Sequence, residues 1–302
     1  MEYKVGTRGS ALALAQTGMV IKTLNEAYPQ HHFSAVTIKT AGDKNQKDTL
    51  QSIGGKGLFV TEIEDAMLDG SIHMAVHSMK DMPALPAEGL MFCKAWKRAD
   101  PRDVLILREK GTLDSLSQGA RIGTGSLRRI LQLKKLRPDF QFVPIRGNID
   151  TRLRKLREPL PDGSSLDAIV LAAAGLERLG LHPDNMVFLS PDVMLPAPAQ
   201  GTLAIELRAD NEELLSLLNK LSDEDTDICN KVERDFLRII DGGCHLPTGA
   251  YCERTGEGFK LTALFGGEEG PIEKVVLNAA EANEDMAAKA AEMLKEALKE
   301  KI

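Results

Sequence analysis

The sequence predicts an α/β protein, with two strand–helix units followed by a smaller α+β unit. Three observations carry that prediction. Strand-like and helix-like segments alternate through residues 1–95, and the same grammar resumes over residues 104–179. From about Asp223 the order changes to helix, Gly-rich turn, strands and a closing helix. Alternation of the first kind argues for mostly parallel sheets covered by helices. At 302 residues, 43% hydrophobic and 27% charged, the chain has room for two or three ordinary domains.

Taken in order, Glu2–Arg8 alternates like a strand, and Ser10 suits the N-cap of a helix over Ala11–Ala27. Phe33–Thr40 reads as a second strand. Residues 41–56 are rich in Gly and Lys without periodicity and read as a mobile loop. A helix over Phe59–Leu68 sets Phe59, Ile63, Ala66 and Met67 at apolar spacing, and strands are predicted at Met74–His77 and Leu90–Ala95. The polar run Lys97–Arg102 reads as a crossing between domains. Beyond it, Val104–Leu107, Arg121–Gly123, Phe140–Pro144 and Ala168–Leu171 are strand-like, with helices at Leu127–Leu136, Ile149–Leu156 and Ala174–Leu179. Met194–Gly201, rich in Pro and Ala, reads as the return crossing, before a strand over Thr202–Leu207 and a helix over Asn211–Leu221. The last unit has a helix ending at Ile240, the turn Asp241–His245, strands near Phe259–Leu264 and Lys274–Asn278, and an amphipathic helix over Ala282–Lys299.

Composition narrows the function. No apolar run approaches the roughly 20 residues that span a bilayer, and Glu2 and Lys4 fall where the apolar stretch of an export signal belongs. The expectation is a cytoplasmic protein with no membrane partner. Cys93, Cys229, Cys244 and Cys252 show no C-x-x-C spacing, so neither a zinc site nor a disulfide frame is indicated. His73 and His77, four apart on a strand, lie too far separated to share a metal, and no metal is expected. A net charge of −6 argues against nucleic acid as a partner. That sum hides a concentration of cations: eleven Lys and Arg lie between Arg121 and Arg157, against only Asp139 and Asp150. A positive patch in an acidic chain points to a small anionic ligand.

Three turns suit such a ligand. Thr7-Arg8-Gly9-Ser10, Gly123-Thr124-Gly125-Ser126-Leu127-Arg128-Arg129 and Arg146-Gly147-Asn148 each pair Gly with a hydroxyl or amide cap and an arginine, and Arg152 follows one turn after the third. Glycine lets the backbone approach an anion, while guanidinium forks and the free amides of a helix start supply donors. No P-loop or dinucleotide fingerprint is present. His77-Ser78-Met79-Lys80-Asp81-Met82-Pro83 places a Lys–Asp pair just past a strand, where open α/β sheets put their ligands, and Asp81 is the candidate for the chemistry. Cys244 differs from the other cysteines because it follows two glycines in a turn. That suggests an exposed, reactive or modified thiol.

Together with Gly54-Gly55-Lys56-Gly57-Leu58-Phe59 and Gly242-Gly243-Cys244, these motifs occur in the order seen in the porphobilinogen deaminase (hydroxymethylbilane synthase) family, which the chain resembles from about residue 3 to past Cys244. The resemblance implies two periplasmic-binding-protein-like α/β domains flanking a cleft, plus a smaller α+β C-terminal domain. The corresponding divisions are residues 1–98 with 198–219, 99–197, and 220–302. It implies a transferase that joins four porphobilinogen molecules head to tail with loss of ammonia and releases the linear tetrapyrrole hydroxymethylbilane. It further implies a dipyrromethane cofactor on a thioether to Cys244, and binding of its carboxylates and those of the substrate by Arg8, Ser10, Lys80, Thr124, Ser126, Arg128, Arg129, Arg146, Arg152, Arg178 and Gln200. Lys56 and Phe59 fall on a mobile loop near the cofactor. A monomer that hands its product to uroporphyrinogen III synthase completes the implied picture.

The residues fit this chemistry. Each substrate unit carries an acetate and a propionate, and burying those carboxylates unpaired is prohibitive, which accounts for the arginine-bearing turns. Loss of ammonia leaves a cationic azafulvene, and a carboxylate such as Asp81 steadies that charge. Two stretches depart from the family pattern: His245-Leu246-Pro247-Thr248 after Cys244, and Pro198-Ala199-Gln200-Gly201 where Val-Gly-Gln-Gly is usual. A two-lobed solute-binding protein accounts for the arginines but not for Cys244 or Asp81. A phosphate-ester enzyme lacks its metal ligands or P-loop.

Overall fold

The computed structural model describes residues 1–40, 60–240, 246–267 and 270–299. The expected loop over 41–56, with Lys56, and also Phe59, Cys244 and His245, lie outside the described residues. The chain divides into two compact units: residues 1–98 with 202–227, and residues 99–201 with 228–302. The fold class is α/β, with a five-stranded sheet in the first unit and, in the second, a five-stranded and a three-stranded sheet.

The first unit is built on β1 (Glu2–Thr7), β2 (His32–Thr37), β3 (Met74–Ser78), β4 (Leu90–Phe92) and β10 (Leu203–Arg208), in the order β2-β1-β3-β10-β4. Helix α1 (Ala11–Ala27) starts at Ser10, whose Oγ accepts the Ala13 N–H at 3.3 Å, as the sequence predicts. It turns Val20 and Leu24 onto Tyr3, Val5, Phe33, Met74 and Val76. Helix α2 (Thr61–Leu68) turns Ile63 and Met67 onto Ile72 and Ala75. Met74 and Val76 thus face one layer and Ala75 the other, so β3 is buried on both faces and reads as a continuous apolar run. Helix α6 (Glu212–Asn219), capped by Asn211, adds Leu214 and Leu218 to the α1 layer.

The second unit holds β5 (Asp103–Leu107), β6 (Arg121–Gly123), β7 (Gln141–Val143), β8 (Ala168–Ala172) and β9 (Met186–Leu189), in the order β7-β6-β8-β5-β9. Helix α3 (Leu127–Leu136) packs Leu133 against Leu105 and Leu107, while α4 (Ile149–Arg157) and α5 (Ala173–Arg178) bring Leu156 and Leu176 to Val104 and Ile106 on the other face. The chain closes on an antiparallel meander of β11 (Gly249–Thr255), β12 (Gly258–Gly266) and β13 (Ile272–Ala279). Phe236 of α7 (Glu224–Ile240) and Ala287, Ala290 and Leu294 of α8 (Glu284–Lys299) cover one face of that sheet. Among the described residues, no helix is long and apolar enough to cross a membrane.

Two expectations change. The large sheets are mixed rather than mostly parallel: each has two parallel and two antiparallel ladders. In each, a single strand is reversed, β10 in the first unit and β5 in the second. These are the strands the chain enters straight from a crossing, Met194–Gly201 and Lys97–Arg102. Strand β9 was not expected. Met186–Leu189 is a four-residue edge between Pro183 and Pro191, too short to show a period.

Candidate active site

In the second unit the anion-binding turn after β6 behaves differently from a surface loop. A Cβ on Gly123 would lie 2.9 Å from methyl groups of both Ile169 and Leu166, so any larger residue there requires those side chains to shift. Thr124 is buried, and its hydroxyl accepts the Ser126 N–H at 3.2 Å; Ser126 is half-buried and makes no side-chain cap bond. Arg128 and Arg129, in the first turn of α3, point into the protein and are each only 6% exposed.

The partner of both is Asp103, the fully buried first residue of β5. Its Oδ2 accepts from Arg128 Nη1 at 2.8 Å and its Oδ1 from Arg129 Nη2 at 2.7 Å. Arg128 Nη1 also donates to the Leu195 carbonyl at 2.6 Å, and Arg129 Nη1 to the Val170 carbonyl at 2.8 Å. Burial by itself raises the Asp103 carboxyl, but the two guanidinium charges and their hydrogen bonds outweigh it and hold the group well below the usual carboxylate range. Burial lowers Arg128, Asp103 opposes that, and the neighbouring Arg129 charge adds to the lowering. Two guanidinium groups share one carboxylate, so a positive charge remains. Arg129 Nε is buried with no hydrogen-bond partner among the described residues.

The segment Leu195–Gly201 ties these groups together. Gln132 brackets Leu195, accepting its N–H at 2.8 Å and donating to its carbonyl at 3.1 Å. The Pro196 carbonyl accepts the Ala250 N–H of β11. The Ala199 N–H donates to Glu233 Oε2 at 2.6 Å, while Glu233 Oε1 accepts the Cys252 N–H at 2.8 Å. Gln200 Nε2 donates to the Pro101 carbonyl at 2.8 Å and to Asp103 Oδ1 at 3.0 Å. The Gly201 carbonyl accepts from Arg178 Nη2 at 2.6 Å. Burial lowers the Arg178 guanidinium to about 10, and its Nε, like that of Arg129, is buried without a partner among the described residues.

Ala199 holds this strap in a left-handed bend, φ +59°, where glycine is the easy choice. Ala199→Gly is expected to change stability by less than about 1 kcal/mol. Relief of about 1–2 kcal/mol of strain is offset by about 0.5–1 kcal/mol of added unfolded-chain entropy and about 0.8 kcal/mol for the lost buried methyl. A urea midpoint measured by circular dichroism checks this, and a loss above 2 kcal/mol contradicts it.

In the first unit, Asp81 ends a 3₁₀ turn (Met79–Asp81) directly after β3. The turn is fixed by Met79 N–H to the Thr202 carbonyl at 3.0 Å and Met82 N–H to the Met79 carbonyl at 3.1 Å. Met79 is buried, Lys80 half-buried and Asp81 exposed, so the backbone is held while the carboxylate is presented outward. Just before the turn, Ser78 Oγ accepts from Gln16 Nε2 at 2.9 Å. His77 Nε2 lies 3.4 Å from Glu206 Oε2, both buried, without the alignment of a hydrogen bond. Arg8 is half-buried at the end of β1, beside the Ser10 cap.

The third turn is a surface feature. Arg146 is exposed, and Asn148 caps α4 through the Thr151 N–H at 2.9 Å. Arg152 Nε donates to the Gly147 carbonyl at 2.8 Å. The structure therefore joins Arg128, Arg129, Arg178 and Gln200 in one network and places Arg146 and Arg152 at the start of α4. Cys93, Cys229 and Cys252 are all buried, and burial pushes the Cys93 thiol up to about 12.

Asp103 and Glu233 were not anticipated, although the sequence held a signal for each. Asp103 immediately precedes the apolar run Val104–Leu107, and Glu233 interrupts the apolar stripe Cys229, Val232, Phe236 and Ile240 of α7. A carboxylate in either place is costly unless paired.

Residues 3–216 match the family described as porphobilinogen deaminase, dipyromethane cofactor binding domain, and residues 228–296 match the porphobilinogen deaminase C-terminal domain. A porphobilinogen deaminase from Lachnospira eligens is 55% identical over 270 residues, 89% of this chain and 90% of that protein. One from Clostridioides difficile is 50% identical over 278 residues, 92% of this chain and 90% of that protein. Among solved structures, the methionine-binding protein MetQ is similar with a TM-score of 0.44 at 12% identity, over 80% of this chain and 96% of that one.

Proposed function

The chain belongs to the porphobilinogen deaminase family, enzymes of tetrapyrrole biosynthesis with a dipyrromethane cofactor, and from that premise we propose that it joins four porphobilinogen molecules into hydroxymethylbilane with release of ammonia. The observation that carries this reading is the surplus of buried positive charge in the second unit. Arg128 and Arg129 share one carboxylate, Arg178 donates to the Gly201 carbonyl, and the buried Nε–H groups of Arg129 and Arg178 lack acceptors among the described residues. Carboxylate arms of a pyrrole are the groups such donors accept, and charge-assisted bonds of this kind are the strong ones.

In this reading, Cys244 holds dipyrromethane by a thioether, and the cofactor supplies the pyrrole carbon that receives the first substrate unit. The surplus donors of Arg129 and Arg178 fit its acetate and propionate arms. Arg8, Ser10, Lys80, Thr124, Ser126, Arg128, Arg146 and Arg152 contribute to the same carboxylates. Gln200 acts through Asp103. Asp81 faces the reacting substrate. As the C–N bond of the protonated aminomethyl group breaks and ammonia leaves, the methylene stays on the ring, positive charge spreads over the pyrrole, and the carboxylate offsets it and accepts the pyrrole N–H. Lys56 and Phe59 border the cofactor. The three-domain division, a monomeric state, a cytoplasmic location and transfer of the product to uroporphyrinogen III synthase belong to the same proposal.

Intact-mass measurement of the purified protein, followed by a porphobilinogen-consumption assay, tests it. The expected mass exceeds the chain by two pyrrole units, and the increment disappears in Cys244→Ala. An unmodified wild-type mass without porphobilinogen consumption overturns the proposal.

A further inference from the structure

Glu233 lies within α7 and meets the segment whose carbonyls take Arg128 and Arg178. It is 0% exposed, and its two carboxylate oxygens divide between two backbone amides: Ala199 on the strap and Cys252 on β11. A buried carboxylate that accepts two backbone N–H groups is a rigid clamp, because each bond is charge-assisted and neither partner has a rotamer to lose. The residue it clamps is Ala199, the only non-glycine residue with positive φ among those described. A strained residue persists where its surroundings over-determine it, often to serve a site.

The bend has consequences on both sides. Immediately after it, Gln200 turns its amide onto Asp103, which orients Arg128 and Arg129. One residue later the Gly201 carbonyl takes Arg178. At the near end the Leu195 carbonyl takes Arg128. A strap free to flatten at Ala199 would displace the Gln200 amide and the Gly201 carbonyl together.

We propose that Glu233 is a positioning residue: by pinning the Ala199 bend it sets where the Leu195–Gly201 strap holds Arg128, Arg129 and Arg178, and so fixes the spacing of the anion-binding donors. This rests on those arginines being the substrate's carboxylate site. Its test has one readout that does not depend on activity.

Glu233→Gln keeps the shape and one acceptor oxygen but opposes the second amide with an NH₂ group. The purified variant is treated with phenylglyoxal, and modification of each arginine is followed by peptide mass, with exposed Arg154 as internal reference. Arg128, Arg129 and Arg178 are expected to react about tenfold faster than in the wild type, the scale of one lost hydrogen bond, while Arg154 is unchanged. Gln200→Leu, which removes the side-chain bonds to Asp103 and the Pro101 carbonyl but leaves the backbone bonds of Ala199 and Gly201, is expected to speed Arg128 and Arg129 but not Arg178. It keeps the test available if Glu233→Gln does not fold. In the porphobilinogen assay Glu233→Gln is expected to raise KM several-fold with less change in kcat. If Glu233 served only the stability of β11, Glu233→Gln would unfold more readily with arginine reactivities and KM unaltered, and that result overturns the proposal. A wild-type protein that consumes no porphobilinogen refutes the assigned function instead, and leaves the arginine reactivities to decide on the strap.

Discussion

Asp81→Asn is expected to leave the fold intact and to lower kcat by about 10²–10³-fold, the usual cost of removing one group that faces charge developing in the transition state. The two halves of that expectation rest on the same geometry. Asp81 is exposed at the end of the Met79–Asp81 turn, whose position is set by backbone bonds to Thr202 and within the turn. No packing depends on its carboxylate, so an isosteric amide is expected to change stability by no more than about 0.5 kcal/mol. The amide still offers an oxygen to a pyrrole N–H but carries no charge against the cation left by ammonia. The loss should therefore fall on kcat and on the single-turnover rate, with KM little changed. Stopped-flow consumption of porphobilinogen by the cofactor-loaded variant measures it. Near-normal turnover with unaltered circular dichroism would remove Asp81 from the chemistry.

Asp103→Ala is expected to destabilise the protein by about 3–5 kcal/mol, the cost of stripping the partner from a buried charge. Here the cost falls on two guanidinium groups at once, since Arg128 and Arg129 share that carboxylate and are both buried. Neither can move to solvent easily: Arg128 is also held by Leu195 and Arg129 by Val170. The pH dependence has a definite sign. The folded Asp103 carboxyl lies below its unfolded value near 4, so its contribution is full above that pH and is lost as pH falls toward the folded value. Below pH 4 the wild type should lose stability more steeply than Asp103→Asn, by up to about 1.4 kcal/mol per pH unit for the one extra proton. Urea titrations at a series of acid pH values supply both numbers. Equal slopes would mean that the folded carboxyl is not held below its unfolded value.

The legible parts of the sequence were those in which neighbouring residues carry the information. Helix α1 begins at Ala11 behind the Ser10 cap, and α3 begins at Leu127, both where the sequence predicts them. The expected helix over Ile149–Leu156 gained one residue at its end. Two strands came out shorter at their ends than expected: β2 stops at Thr37 and β4 at Phe92. The chemical motifs were legible for the same reason. A Gly-Thr-Gly-Ser turn ahead of two arginines needs only a few consecutive residues to be recognised.

The sequence by itself therefore determined the fold class, the family and the types of side chain available: arginines and hydroxyls beside glycines, an aspartate past the end of β3, and a cysteine that follows two glycines. Tertiary structure alone decided which arginines are donors in reserve and which are already committed. That choice depends on Asp103, Gln200 and Glu233, which stand 25, 72 and 105 residues from Arg128 in the chain. The physical reason is burial. A charge withdrawn from water takes its properties from whichever groups the fold brings within about 3 Å, and sequence separation places no limit on which groups those are.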